Sequence, residues 1–244
     1  MTVDRAPGAG ELAAGELAAG DFSSWLTAMG QALKGERDAD VPCRGCTACC
    51  TSSQFVHIAP EETETLAHIP AGLLFPAPRR PPGHVVLGYD ERGHCPMLID
   101  GACSIYAHRP RTCRTYDCRV FPAAGLEPPG AEKSEIAQRV RRWRFSYRSP
   151  ADRTTHDAVR AAATFLRQHG RDLPAGAVPS EETQLAVAAL SVHDLFLGRD
   201  RTTGERTVVE PDPEAVRVEL RRSAPPRLTP GQDLHVRGDE GAVG

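Results

Sequence analysis

The chain has 244 residues and a formal charge of -3, the balance of 29 basic and 32 acidic groups. No field spanning the whole surface therefore draws in nucleic acid or an anionic membrane. No apolar run is long enough to cross a bilayer, and the N-terminus has no basic stretch leading into an apolar one. The expected setting is the cytoplasm, where thiols stay reduced and a disulfide framework is disfavoured.

Residues 1–20 contain GELAA twice in succession and few bulky apolar side chains, the composition of a disordered tail. Asp21 then caps a helix in which Phe22, Trp25, Leu26, Met29 and Leu33 recur at helical spacing, ending near Gly35. The first cysteines follow in CRGCTACC. After them FVHIA reads as a short strand and PEETETLAHI as a helix opened by Pro60 with Glu61 and Glu62 in its first turn. Residues 70–83 are proline-rich and read as a loop. HVVLGYDERGHCPMLIDGACSIY predicts three short antiparallel strands turned at DERG and DG, with Cys95 and Cys103 on neighbouring strands. HRPRTCRTYDC is a helical turn started at Pro110.

Beyond Phe121, three helices are expected over AEKSEIAQRVRRWRFSYR, DRTTHDAVRAAATFLRQHG and the segment from Ser180 through EETQLAVAALSVHDLFLG. The end carries a strand at RTVVE, a helix at PEAVRVELRR and a mobile Pro/Gly-rich tail. The expected fold class is α+β, a small cysteine-rich module with short antiparallel strands followed by a helical region. The divisions are a tail over 1–20, the cysteine module over 21–125, the helical region over 126–198 and an irregular extension over 199–244.

All eight cysteines lie between positions 43 and 118, a confinement that packing alone does not explain. Their spacing is C-x2-C-x2-C-C, then 44 residues, then C-x7-C-x9-C-x4-C. A CxxC turn brings two thiolates to one metal, and ligand groups far apart in sequence close a large loop, so metal binding also stabilises the fold. Two donor chemistries fit. Eight cysteines can make two closed zinc sites, although a zinc ribbon normally carries a second CxxC pair that is missing here. Alternatively, Cys43, Cys46 and Cys49 reproduce the CxxCxxC core of bacterial ferredoxins, and Cys95 precedes Pro96 as their remote fourth cysteine does. A four-iron cluster on Cys43, Cys46, Cys49 and one of Cys95 or Cys113 is favoured. Cys50, pointing away from Cys49, belongs to a second centre or is a free thiol.

CRGCTACC followed by HCPMLIDGACSIYAHRPRTCR resembles the bacterial YkgJ-type cysteine-cluster family, described as zinc- or iron-chelating domains and associated with Fe–S oxidoreductases. The matching positions are Cys43, Cys46, Cys49, Cys50, Cys95, Cys103, Ile105, Tyr106, Arg109, Pro110, Cys113 and Arg114. The resemblance departs at TYDCRVFP, which inserts Cys118 before Phe121 and Pro122. It implies metal chelation, with Cys43, Cys46, Cys49, Cys50, Cys95, Cys103 and Cys113 as candidate ligands and Tyr106, Arg109 and Arg114 beside the bound group; Cys118 is a further candidate, an added ligand or a spare. Flagellin lysine methylases look similar in their cysteine cluster, which keeps an iron-dependent group-transfer enzyme among the readings.

Arginines at 44, 109, 111, 114 and 119 lie among the cysteines, where they can offset thiolate charge. His57, His84, His94 and His108 are substitute ligands. Arg139, Arg141, Arg142 and Arg144 with Trp143 and Phe145 form a basic-aromatic stretch that could contact RNA or an acidic protein, but it reads more simply as a solvated helix face. No GxGxxG, P-loop, GxSxG or recognisable catalytic base is present. The sequence thus predicts a metal-binding protein with an iron–sulfur cluster or zinc, an unnamed redox or protein partner, and no nucleic acid or membrane partner. A structural zinc module for protein or RNA interaction is the alternative.

Overall fold

A computed structural model describes residues 12–39, 41, 43, 45–78, 80–170 and 181–223. Pro42, Arg44, Ser180, the first GELAA's opening residues and the C-terminal tail lie outside the described residues.

The chain opens with strand β1 (Leu17–Asp21) and helix α1 (Phe22–Leu33). Asp21 caps α1 by accepting from the Ser24 amide at 2.9 Å. Strand β2 (Val56–Ile58), helix α2 (Thr63–Ala67), strand β3 (Leu74–Pro76) and strand β4 (Val85–Leu87) follow. They build a three-stranded antiparallel sheet in the order β2-β4-β3. A hairpin of β5 (Leu98–Ile99) and β6 (Ala102–Cys103) comes next, turned through Asp100 and Gly101 with φ of 50° and 76°. Helices α3 (Arg111–Thr115), α4 (Val120–Ala124) and α5 (Ser134–Val140) then lead into strand β7 (Trp143–Ser146). The chain continues through α6 (Pro150–His169), α7 (Glu182–Val192), the hairpin β8 (Leu197–Arg199) and β9 (Arg206–Val208), and α8 (Pro213–Ser223). The class is α+β, as expected.

Two separate hydrophobic cores result. The larger gathers α1, α4, α5, α6 and α7 around the fully buried Phe22, Phe121, Ile136, Val159 and Leu166, and it includes Cys118. The smaller consists of Ile58, Ile69, Leu87, Met97 and Ile105, with Cys95 and Cys103 packed against it.

Several local expectations give way to tertiary pairing. Leu17–Gly20, expected in a disordered tail, forms a strand parallel to β7, matching Leu17 to Trp143 and Asp21 to Ser146. The same pairing turns Trp143–Ser146 from the expected helix into a strand, so α5 ends at Val140. The proline-rich segment 70–83 contains β3, an edge strand where Pro76 costs no ladder bond. The DERG turn is a closed loop, with the Asp90 carboxylate accepting from the amides of Arg92 and His94 at 2.9 and 2.8 Å. Consequently β4 pairs with β2 and β3 rather than with β5, and Cys95 lies ahead of the β5–β6 hairpin, which carries Cys103. Helix α2 starts at Thr63, because Glu62 is used elsewhere: its two oxygens accept from the Ala59 and Arg111 amides at 2.9 and 2.6 Å. After α7 the chain runs through a tight helical turn (His193–Phe196) into β8, not further helix.

The N-terminal elements are tied to the second half of the cysteine segment by a buried ion pair. Asp117 and Arg119 meet at 2.8 Å, their side chains only 1% and 9% exposed. Trp25 Nε1 donates to Asp117 at 2.8 Å, and Arg119 Nη1 donates to the Ala19 carbonyl at 2.9 Å. Replacing Asp117 leaves the Arg119 guanidinium buried without its counter-charge. Asp117→Ala is therefore expected to cost about 3–5 kcal/mol in chemical denaturation, whereas the exposed Arg92→Ala should lose under about 1 kcal/mol.

Candidate metal centre

The CxxC turn is made by Gly45, whose φ of 66° allows the Cys46 amide to reach the Cys43 carbonyl at 2.7 Å. A tight helical turn (Ala48–Thr51) then presents Cys49 and Cys50 in succession. It is fastened by Ser52, whose hydroxyl donates to the Ala48 carbonyl at 2.6 Å, and by helix α5, which packs on it. The distant cysteines reach this turn through backbone bonds. The Ser53 amide donates to the Gly93 carbonyl at 2.9 Å, and the Cys95 amide to the Cys50 carbonyl at 2.7 Å. A side chain at Gly93 would collide with the Ser53 hydroxyl, and its φ of 78° suits glycine, so this approach depends on that residue.

Seven of the cysteines (Cys43, Cys46, Cys49, Cys50, Cys95, Cys103 and Cys113) line one cavity of about 630 Å³ together with Tyr106, Arg109, Arg114 and Tyr116. Cys118 is buried just behind, in the larger core. Cys49 and Cys113 line the cavity, exposed as whole residues although their thiols are largely desolvated.

Repulsion among the thiolates is uneven across the cysteines. Cys49 is surrounded first by Cys118, Cys43 and Cys46, and Cys118 by Cys43 and Cys46. Cys113 instead has Cys50, Cys95 and Cys103 as its thiol neighbours, and Cys95 has Cys103. Cys95 and Cys103 weigh most on Cys50, with Cys46 and Cys43 next. The sequence expectation for a fourth partner of Cys43, Cys46 and Cys49 was Cys95 or Cys113; the thiolate that weighs most on Cys49 is Cys118.

The thiols are not ready to ionise. Burial, followed by repulsion from the other thiolates, raises the pKa of Cys50 to about 11 and that of Cys113 to about 12, from an ordinary 9.0. Cys118 rises to about 12, chiefly through burial, despite a bond at 3.2 Å from Trp143 Nε1 to its sulfur. Burial also raises Cys95, although the backbone amides of Met97 and Leu98 favour its thiolate. Among the described residues no three cysteine sulfurs lie within 4.8 Å of one another.

The other candidates divide. Arg109 stacks over the Tyr106 ring at 4.1 Å and donates to the Tyr106 carbonyl at 2.8 Å. Arg114 forms an ion pair with Asp38 at 3.6 Å, while its buried Nε has no hydrogen-bond partner among the described residues. Arg111 pairs with Glu61, and Arg119 with Asp117. No histidine is among the residues lining the cavity. His57 bonds His84 at 3.0 Å, and His94 lines a separate polar cleft. The basic stretch is engaged internally: Arg141 pairs with Glu127, Arg144 with Glu16, and Arg142 donates to the Gly15 carbonyl. Two site residues escaped the sequence reading, Tyr116 in the cavity wall and Trp143 on the Cys118 sulfur. Tyr116 lies between Cys113 and Cys118, and that position was its only signal.

Residues 42–140 match the model of the CxxCxxCC family, whose description reads "Putative zinc- or iron-chelating domain". The match contains every cysteine and agrees with the family that the motif resembles. No curated protein and no solved structure matches the chain.

Raised thiol pKa values mean that the metal-free fold favours protonated sulfur. Its stability is intact below pH 9 and declines as pH rises from there toward 11–12, because the unfolded chain releases those protons more readily. Thermal unfolding of metal-free protein should show this decline, and metal-loaded protein, whose thiolates are already compensated, should not. In the same assay Gly93→Ala should cost about 1 kcal/mol or more and lower metal content.

Proposed function

From the match of residues 42–140 to a zinc- or iron-chelating cysteine-cluster domain, we propose that the chain is an iron–sulfur protein with two adjacent thiolate centres, serving redox or electron-transfer chemistry with a protein partner. Cys43, Cys46, Cys49 and Cys118 hold the first centre, a four-iron cluster. Cys50, Cys95, Cys103 and Cys113 hold the second, iron–sulfur or zinc.

The observation that carries this reading is the gathering of seven cysteines around one cavity with Cys118 buried behind it, where Cys118, Cys43 and Cys46 weigh most on Cys49 and Cys50, Cys95 and Cys103 on Cys113, and where no histidine among the described residues lines the wall. Sulfur spacing favours a cluster over single zinc ions. A zinc ion bonded to sulfur at about 2.3 Å draws four sulfurs to within about 3.8 Å of one another. Here no three lie within 4.8 Å, a spread that suits a polynuclear group whose ligands reach different metal atoms. The surroundings fit an anionic group. The free Nε of Arg114, the Trp143 indole and the amides of Met97 and Leu98 are donors for sulfur, and Arg109 adds positive charge at the cavity.

Anaerobic purification with elemental analysis for iron, zinc and acid-labile sulfide tests the proposal. Iron and sulfide in comparable amounts, with a visible cluster spectrum, are expected; zinc without sulfide would overturn it. Cys118→Ser should remove the iron of the first centre and spare the second, while Cys103→Ser should do the reverse. Loss of both centres in each variant, with the fold intact, would remove the assignment into two sets.

A further inference from the structure

Outside the thiol cavity, three side chains of metal-ligand type meet on the surface. Glu64 and His68 lie four residues apart on α2 and its C-terminal cap, and His108 comes from the turn that precedes Arg109. One ligand atom from each falls within 4.8 Å of the others, and the group is the single set of three or more such residues among the described residues. The sequence reading placed His108 with the cysteines and gave no role to Glu64 or His68.

Local geometry arranges the three donors. The His68 Nδ1 lies 2.7 Å from the Glu64 backbone carbonyl, so Nδ1 carries the proton and Nε2 keeps its lone pair for a ligand. A metal-bound histidine is commonly fixed in this way, its other nitrogen donating to a backbone carbonyl. The rings of His68 and His108 stack at 3.8 Å and 9°. The stack holds the two rings side by side, with a nitrogen of each within 4.8 Å of the other. Among the described residues the Glu64 carboxylate has no ion pair and no hydrogen-bond partner, although Glu61 and Glu62 beside it both do.

From this we infer that Glu64, His68 and His108 form a second kind of metal site, of nitrogen and oxygen donors, for a divalent first-row ion such as zinc, cobalt or iron(II). Two imidazoles and a carboxylate select such ions over magnesium or calcium, which take all-oxygen shells. Three protein ligands at an exposed position leave coordination places for water or a small ligand. Because α2 belongs to the sheet segment and His108 to the segment carrying Cys103 and Cys113, a bound ion cross-links the two. The site uses no thiol and stands whichever metal the cysteines hold.

The test adds cobalt(II) alone to the full-length protein as purified, and to the variant combining His68→Ala with His108→Ala. Bound cobalt is counted, and X-ray absorption at the cobalt edge reads its donors without interference from iron. Wild type should bind one more cobalt per chain than the double variant, and the difference spectrum should contain nitrogen and oxygen donors only. Equal cobalt in the two proteins would overturn the site, as would sulfur donors in the difference. Glu64→Gln leaves both rings in place and should weaken the extra cobalt by about tenfold or more. Undiminished affinity in that variant would remove the carboxylate from the site. Unchanged metal at the cysteines and an unchanged circular dichroism spectrum show that the variants fold.

Discussion

Six of the eight thiols have their pKa raised by burial and by one another, so the costliest feature of this fold is the gathering of sulfur around one cavity. Neutral thiols can share that space, whereas thiolates there repel one another and a bound cation would offset that repulsion. The family match points to the same chemistry, zinc or iron chelation. Such chelation also accounts for how little else holds the cysteine segment. Its strands are two or three residues long, and its core has five buried side chains, too small a unit to be stable on apolar burial alone.

The two cores correspond to the two proposed thiol sets. Cys118 belongs to the helical core, which holds the first set from behind, and Cys95 and Cys103 pack on the small core of the sheet segment. The turn Ala48–Thr51 supplies a cysteine to each proposed set: among the thiolates, Cys118 weighs most on Cys49 and Cys95 on Cys50. On the proposed assignment a single peptide bond joins the ligands of two centres. Any change in charge at one is then felt at the other over a short, poorly screened distance.

What could be read from the sequence was local. The CxxC turn, the Asp21 cap, the Asp100–Gly101 hairpin and the Pro110 helix start are each set by a few neighbouring residues, and each appears in the fold. The pairing of β1 with β7 was not legible, because residues over a hundred positions apart make it. Small residues such as Ala18 and Ala19 look like tail until Trp143 and Phe145 cover them. The same distance hid the place of Cys118. Spacing suggested Cys95 or Cys113 as partner to the first three, by analogy with a remote ferredoxin cysteine. The burial of Cys118 in the helical core, under the Trp143 indole, is something no cysteine count contains.

That dependence changes how the chain divides. The family match ends at residue 140, yet the environment of Cys118 is completed outside it. Trp143 donates to its sulfur, Trp25 holds the adjacent Asp117, and the Ala19 carbonyl accepts from Arg119. The strand that delivers Ala19 is in turn paired to the strand that delivers Trp143. Segments before and after the matched domain thus meet each other at the back of the first thiol set. They complete its wall, so a fragment trimmed to residues 42–140 would retain every cysteine while exposing the back of Cys118 to water.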